Sequence, residues 1–228
     1  MSALKITILG CGSSFGVPLF HNIWGKCDPE EPKNIRSRPS ILVQKNGKNL
    51  LIDTSPDLKQ QILSNKIDNI DAVFFTHEHA DHTHGINELR SINLIHRKII
   101  PCYGNEKTMK KITNSFNYLF ENTEKSYYPA ILSKNHFSSE EFEIFGINIK
   151  LISQNHGDID SIGFIFDNKI AYNLDVKYFY EQEEYFKKIE NIDHWIVGCL
   201  RIDPHISHAS LSEVKKWLDI VKPKSAYL

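Results

Sequence analysis

The sequence predicts an α/β fold of the αββα sandwich type, with two mixed β-sheets packed face to face and helices on the outside. Two observations carry this expectation. Strand hairpins followed by strand–helix units occur twice along the chain, so each sheet can have its own helical cover. The 228 residues, 41% hydrophobic and 11% aromatic, can bury a sizeable core, and residues 1–228 are expected to form a single domain.

Each element follows from local chemistry. Residues 5–9 alternate polar and β-branched side chains and stop at Gly10, the pattern of a first strand. Residues 11–39 are too broken by glycine and proline for regular structure. Residues 40–44 and 49–52 flank Asn46-Gly47, whose tolerance of positive φ suits a tight hairpin turn. Ser55-Pro56 reads as the cap and first turn of a helix reaching residue 64. The apolar run 71–76 reads as a buried strand. Ile86, Leu89, Ile92 and Leu94-Ile95 recur at helical spacing, and a strand over 99–103 and a helix over 106–119 follow. Two hairpins come next, 142–152 turning near Gly146 and 163–174 turning at Asp167-Asn168. A helix over 178–189, a strand over 194–200, a helix over 211–220 and a strand over 225–228 complete the order.

Composition narrows the function classes. Twenty-seven basic residues against 28 acidic give a net charge of -1, with no excess to attract nucleic acid or an anionic membrane. No apolar run approaches the roughly 20 residues that span a bilayer, and the N-terminus lacks the pattern of a signal peptide. Cys11, Cys27, Cys102 and Cys199 are scattered and form no C-x-x-C pair, which fits a reducing compartment. A cytoplasmic enzyme or binding domain is expected, with no membrane association.

The chemistry lies in the histidines. His77-Glu78-His79-Ala80-Asp81-His82 sets four ligand-capable residues within six, directly after a strand. Imidazole and carboxylate suit zinc, manganese or iron. The spacing does not keep to one helical stripe, so the motif is expected in a loop. There His77 and His79 can converge on one point, and Asp81 and His82 on a neighbouring one. That arrangement fits two metals about 3.5–4 Å apart. His156 and Asp175, each after an apolar strand, can supply the missing ligands.

The stretch Thr76 to His82 resembles the signature of the metallo-β-lactamase fold hydrolases. Residues 9–18, Asp53-Thr54-Ser55-Pro56 and His82-Thr83-His84-Gly85-Ile86 are similar to the branch that contains phosphoribosyl 1,2-cyclic phosphate phosphodiesterase. The resemblance implies two divalent cations, zinc or manganese. His77, His79 and His156 would hold the first, Asp81 and His82 the second, and Asp175 would bridge them. It also implies that His208 contacts the phosphate and protonates the leaving oxygen, and it suggests a homodimer. The implied activity is that of a metal-dependent hydrolase, a phosphodiesterase acting on a cyclic or nucleotide-like phosphodiester through a metal-bridging hydroxide, with Asp81 orienting the nucleophile. Its partner would be a small-molecule phosphodiester.

Two departures qualify the resemblance. Only Cys27 stands where members with a structural zinc carry several cysteines, so that metal is expected to be absent. The chain reaches Leu228 where the family continues to a Thr-His pair, so a final C-terminal segment is expected to be missing and the second metal site weak. The same ligand set serves transfer-RNA 3′-processing nucleases and thioester hydrolases, and a shortened relative would bind metal with little activity. Balanced charge counts against RNA.

The remaining signals read as structural. Gly10-x-Gly12-x-x-x-Gly16 misses dinucleotide-binding spacing by one residue and is expected to let a tight turn approach the metal cleft. Arg36 and Arg38 read as solvated, and His21, His96, His136 and His194 as solvated or packed.

Overall fold

A computed structural model describes residues 2–122 and 129–228. The chain divides into two units, Met1–Phe137 and Ser138–Leu228, each built on one mixed sheet.

In the first unit the strands lie in chain order, from β1 (Lys5–Gly10), β2 (Ser40–Lys45) and β3 (Lys48–Ile52) to β4 (Ala72–Phe74), β5 (Ile100–Gly104) and β6 (Leu132–His136). The first three are antiparallel and the last three add in parallel. Parallel neighbours need crossovers. These are α1 (Leu58–Ser64), then α2 (Ala80–Thr83) with α3 (Leu89–His96), then α4 (Glu106–Ser115) with α5 (Asn117–Phe120). Alternate strand residues Leu42, Leu51, Val73 and Cys102 pack with Leu58, Leu89, Met109 and Ile112 from the helices as one buried cluster.

The second unit holds β7 (Glu141–Ile144), β8 (Ile147–His156), β9 (Ile159–Phe166), β10 (Ile170–Asn173), β11 (Tyr178–Phe179), β12 (His194–Val197) and β13 (Ser225–Tyr227), with α6 (Gln182–Lys188) and α7 (Leu211–Val221). The sheet order is β11-β8-β9-β10-β12-β13, and β7 also pairs with β8. Strands β10, β12 and β13 are parallel. Phe179, Phe186, Trp195, Val214 and Trp217 form the core beneath the two helices. Helix α7 begins at a capping box, in which the Ser210 hydroxyl accepts from the Glu213 amide while the Glu213 carboxylate accepts from the Ser210 amide.

Several expectations need correction. Residues 178–189 are not one helix: Phe179 pairs with Gln154 as a strand residue while its ring packs on Trp217, 5.1 Å between centroids. The helix over 106–119 breaks at Phe116, whose φ of -127° is not helical. Strand β6 has no apolar alternation in the sequence, because only its first residue, Leu132, is buried and the rest is polar. Strand β8 runs to His156 and β9 starts at Ile159, so a third hairpin turns through Gly157 at φ +73°. Helix α1 begins at Leu58 rather than Ser55, whose hydroxyl accepts from the Asp57 amide just ahead of it. Gly10 and Gly12 permit a close approach, but to residues 36–38 rather than to the cleft. A Cβ at Gly10 would lie 2.1 Å from the Arg38 carbonyl oxygen, and one at Gly12 2.6 Å from that of Arg36. Arg38 is not simply solvated. Its guanidinium makes a fork to Asp57, with Nε 2.8 Å from Oδ2 and an Nη 2.5 Å from Oδ1.

Candidate metal centre

In the first unit the histidine motif leaves the end of β4. His77 and His79 lie in the connection, while Asp81 and His82 sit on α2, a single helical turn where a loop was expected. Two bonds close this turn onto His79: its carbonyl accepts from the His82 amide at 3.1 Å and from the Thr83 hydroxyl at 2.9 Å. The end of β3 meets it, since the Thr54 amide donates to the His82 carbonyl at 2.7 Å. Gly85 must be glycine here, because a Cβ would fall 1.8 Å from the Ser55 carbonyl oxygen.

Asp53, at the end of β3, organises the imidazoles. It is fully buried at φ +63°. Its Oδ1 accepts from the Thr76 amide, and its Oδ2 accepts from the Thr76 hydroxyl, both at 2.8 Å. The same Oδ2 is 2.7 Å from His82 Nδ1. Burial pushes the Asp53 carboxyl above its ordinary range, and His82 and Thr76 pull it back. The proton positions follow by elimination. Thr76 gives its one proton to Asp53, so its oxygen, 2.9 Å from His77 Nδ1, must accept from that nitrogen. His82 Nδ1 must likewise carry a proton toward the carboxylate. In both rings Nε2 is then the nitrogen with the lone pair. This is the carboxylate–histidine arrangement that orients metal ligands.

The donor set fits a divalent cation. His77 Nε2 and His79 Nδ1 stand 3.0 Å apart, with the rings at 80°. Two nitrogens bound tetrahedrally to one zinc would be separated by roughly 3.3–3.4 Å. Asp81 Oδ2 lies 3.6 Å from His82 Nε2, so the second pair also converges.

In the second unit, His156, Asp175 and His208 each bring a ligand atom within 4.8 Å of the others. His156 ends β8, and Asp175 follows β10 in a left-handed conformation, φ +49°. His156 Nδ1 donates to the Ser207 carbonyl at 2.8 Å, again leaving Nε2 for a cation. Gly157 lets the Ser207 loop come this near, since a Cβ there would lie 2.8 Å from the Ser207 Cβ. His208 Nδ1 is 3.5 Å from Asp175 Oδ1. Burial lowers the His208 imidazole to about 4, against the upward pull of Asp175.

The residues expected from sequence thus gather within their own units: His77, His79, Asp81 and His82 in the first, His156, Asp175 and His208 in the second. Sequence reasoning assigned no role to Asp53, Thr76 or Ser207. Asp53 was visible only as part of Asp53-Thr54-Ser55-Pro56, and nothing local marks a carbonyl such as that of Ser207.

Comparison with known proteins agrees with this chemistry. Residues 48–228 match the family model described as a beta-lactamase superfamily domain. An octanoyltransferase of Porphyromonas gingivalis is 30% identical over 175 residues, 76% of this chain and 35% of its own length. A ribonuclease Z of Clostridium kluyveri is 30% identical over 165 residues, 68% of this chain and 46% of its own. The chain therefore spans less than half the length of these curated relatives. The crystal structure of a diphosphatase of the PhnP family superposes with a TM-score of 0.83 at 28% identity, covering 98% of this chain and 87% of that one. With its histidine motif inside the matched segment, the chain belongs to the β-lactamase superfamily and has the metallo-β-lactamase fold.

Proposed function

We propose that this protein is a metal-dependent phosphodiesterase acting on a cyclic or nucleotide-like phosphodiester. His77, His79 and His156 would hold one divalent cation, Asp81 and His82 a second, and Asp175 both, with zinc or manganese as the metal. The observation that carries the reading is the set of fixed tautomers: His77, His82 and His156 each commit Nδ1 to an acceptor and keep Nε2 for a ligand. The phosphodiester class is supported by the likeness to the PhnP-family diphosphatase, which spans 98% of this chain at a TM-score of 0.83.

Bound divalent cations polarise a phosphoryl oxygen and bring the pKa of water from 15.7 toward about 7. The chain's own groups do the remainder. Asp81 orients the attacking nucleophile and accepts its hydrogen bond. His208 faces the phosphate, where it stabilises developing charge or passes a proton to the leaving oxygen. Asp53 and Ser207 keep the ligand rings in the required tautomers. A cytoplasmic setting accords with four free cysteines, and no helix among the described residues is long and apolar enough to cross a membrane. A homodimer acting on a small-molecule phosphodiester completes the proposal.

A second reading, cleavage of RNA, is favoured by the match to ribonuclease Z. Balanced charge argues against it, because RNA binding draws on clustered cations. A cyclic nucleotide, a precursor transfer RNA and a glutathione thioester, each offered with zinc or manganese, separate the readings. Hydrolysis of the cyclic phosphodiester, stopped by a chelator, is expected. Faster turnover of RNA or thioester, or failure to take up metal, would overturn the assignment.

A further inference from the structure

Beneath Asp175 lies a buried polar chain that the catalytic argument does not use. The Asn173 side-chain oxygen Oδ1 accepts from Trp195 Nε1 at 2.8 Å and from the Tyr185 hydroxyl at 2.5 Å. Asn173 Nδ2 donates to Gln154 Oε1 at 2.9 Å. Gln154 Nε2 donates to the Ser161 hydroxyl at 3.0 Å and to the Leu174 carbonyl at 2.5 Å. The Ser161 hydroxyl donates to the Asp175 carbonyl at 2.8 Å. Asn173, Gln154, Ser161 and Trp195 are all fully buried.

The direction of this chain is fixed chemically. Indole nitrogen is only a donor, so the Asn173 atom facing Trp195 must be oxygen. Its amide nitrogen then faces Gln154, whose own nitrogen faces Ser161, and the serine proton is left for Asp175. Such a unidirectional chain polarises each link in turn. Gly163 makes room for it, since a Cβ there would lie 2.2 Å from Asn173 Nδ2. Both carbonyls it finally grips, Leu174 and Asp175, flank the left-handed turn that aims the Asp175 side chain.

We propose that the relay from Trp195 through Asn173, Gln154 and Ser161 is a positioning device for Asp175, setting the backbone angle from which its carboxylate reaches the metal. This inference rests on the ligand role of Asp175 given above. Ser161 is a positioning residue, since its hydroxyl acts on the Asp175 backbone.

The test compares two variants of the full chain, each losing one buried hydroxyl. Ser161→Ala cuts the final link to Asp175. Tyr185→Phe cuts a link at the far end, where Trp195 still sets the direction. Zinc affinity is read by competition with a chromophoric chelator, and metal-free stability by thermal melting. Ser161→Ala is expected to weaken zinc binding about tenfold, while Tyr185→Phe stays within about twofold of the parent despite a comparable loss of melting temperature. Equal zinc affinity in Ser161→Ala and the parent would overturn the inference and leave the function standing, as would equal weakening in both variants. Failure of Ser161→Ala to fold would also overturn it, because the hydroxyl would then serve the fold. A parent that binds no zinc would remove the proposed function and this inference together.

Discussion

At the scale of single residues, Asp53 concentrates the most consequence. It accepts from the Thr76 amide, the Thr76 hydroxyl and His82, and burial leaves no water to replace it. Removing the acceptor leaves these buried donors unsatisfied, at a cost of about 1–3 kcal/mol. Asp53→Ala is therefore expected to lose that much in urea unfolding and to bind metal 10–100-fold more weakly, the usual range for a group that holds a ligand. Asp53→Asn should lose less stability, because asparagine tolerates the φ of +63° and keeps one acceptor oxygen. His208 makes the opposite kind of prediction. Its ring packs 4.7 Å from His156 without joining either core cluster. His208→Ala should melt near the parent temperature and lower turnover of a cyclic phosphodiester by about 100-fold or more. An unchanged rate would withdraw its assigned role.

At the scale of elements, α7 shows how a short sequence signal becomes a measurable stability. Ser210 and Glu213 close a capping box, and Lys177 adds a bond to Glu213 at 2.9 Å. Ser210→Ala is expected to cost about 1 kcal/mol by chemical denaturation. Partial burial by itself would raise the Glu213 pKa, but the Ser210 amide and the Lys177 ammonium outweigh it and hold the carboxyl down at about 2. Its unfolded value is 4.5, so the unfolded chain takes up the proton first as acid is added. The stabilisation is complete above pH 4.5 and disappears as pH falls through about 2. Glu213→Gln should flatten that part of the stability profile, modestly, because the group is a third exposed and salt screens it. An identical acid profile in Glu213→Gln would count against the assignment. The loop after β1 obeys a steric rule instead. Gly10→Ala would drive a methyl into the Arg38 carbonyl, and it should disturb the Arg38–Asp57 pair just ahead of α1.

At the scale of the whole molecule, the proposed cations would bind the folded chain alone, so metal should report on its folding. Zinc at 100 times its dissociation constant would stabilise the native chain by about 2.7 kcal/mol, and chelation should lower the melting temperature. A melt insensitive to chelator would oppose the proposed cations. Much of this was legible in the linear chain. The hairpin turns at Asn46-Gly47 and Asp167-Asn168 take positive φ because those residues tolerate it, the cap of α7 is spelled within four residues, and the histidine motif follows a strand. These features depend on neighbours close in sequence, so pattern is enough to find them. Strand β6 carries no such signal because a polar edge strand has no apolar alternation, and β11 carries none because Phe179 pairs with the distant Gln154, in a strand already committed elsewhere. The amino-acid order alone settled which residues carry nitrogen and oxygen donors and that the histidine motif follows a strand. Only the folded chain decided which nitrogen of each ring keeps its lone pair: His82 answers to Asp53 across 29 positions, and His156 to Ser207 across 51. A proton's location is set by whichever acceptor lies within about 3 Å, and chain order carries no record of such distant neighbours until folding brings them together.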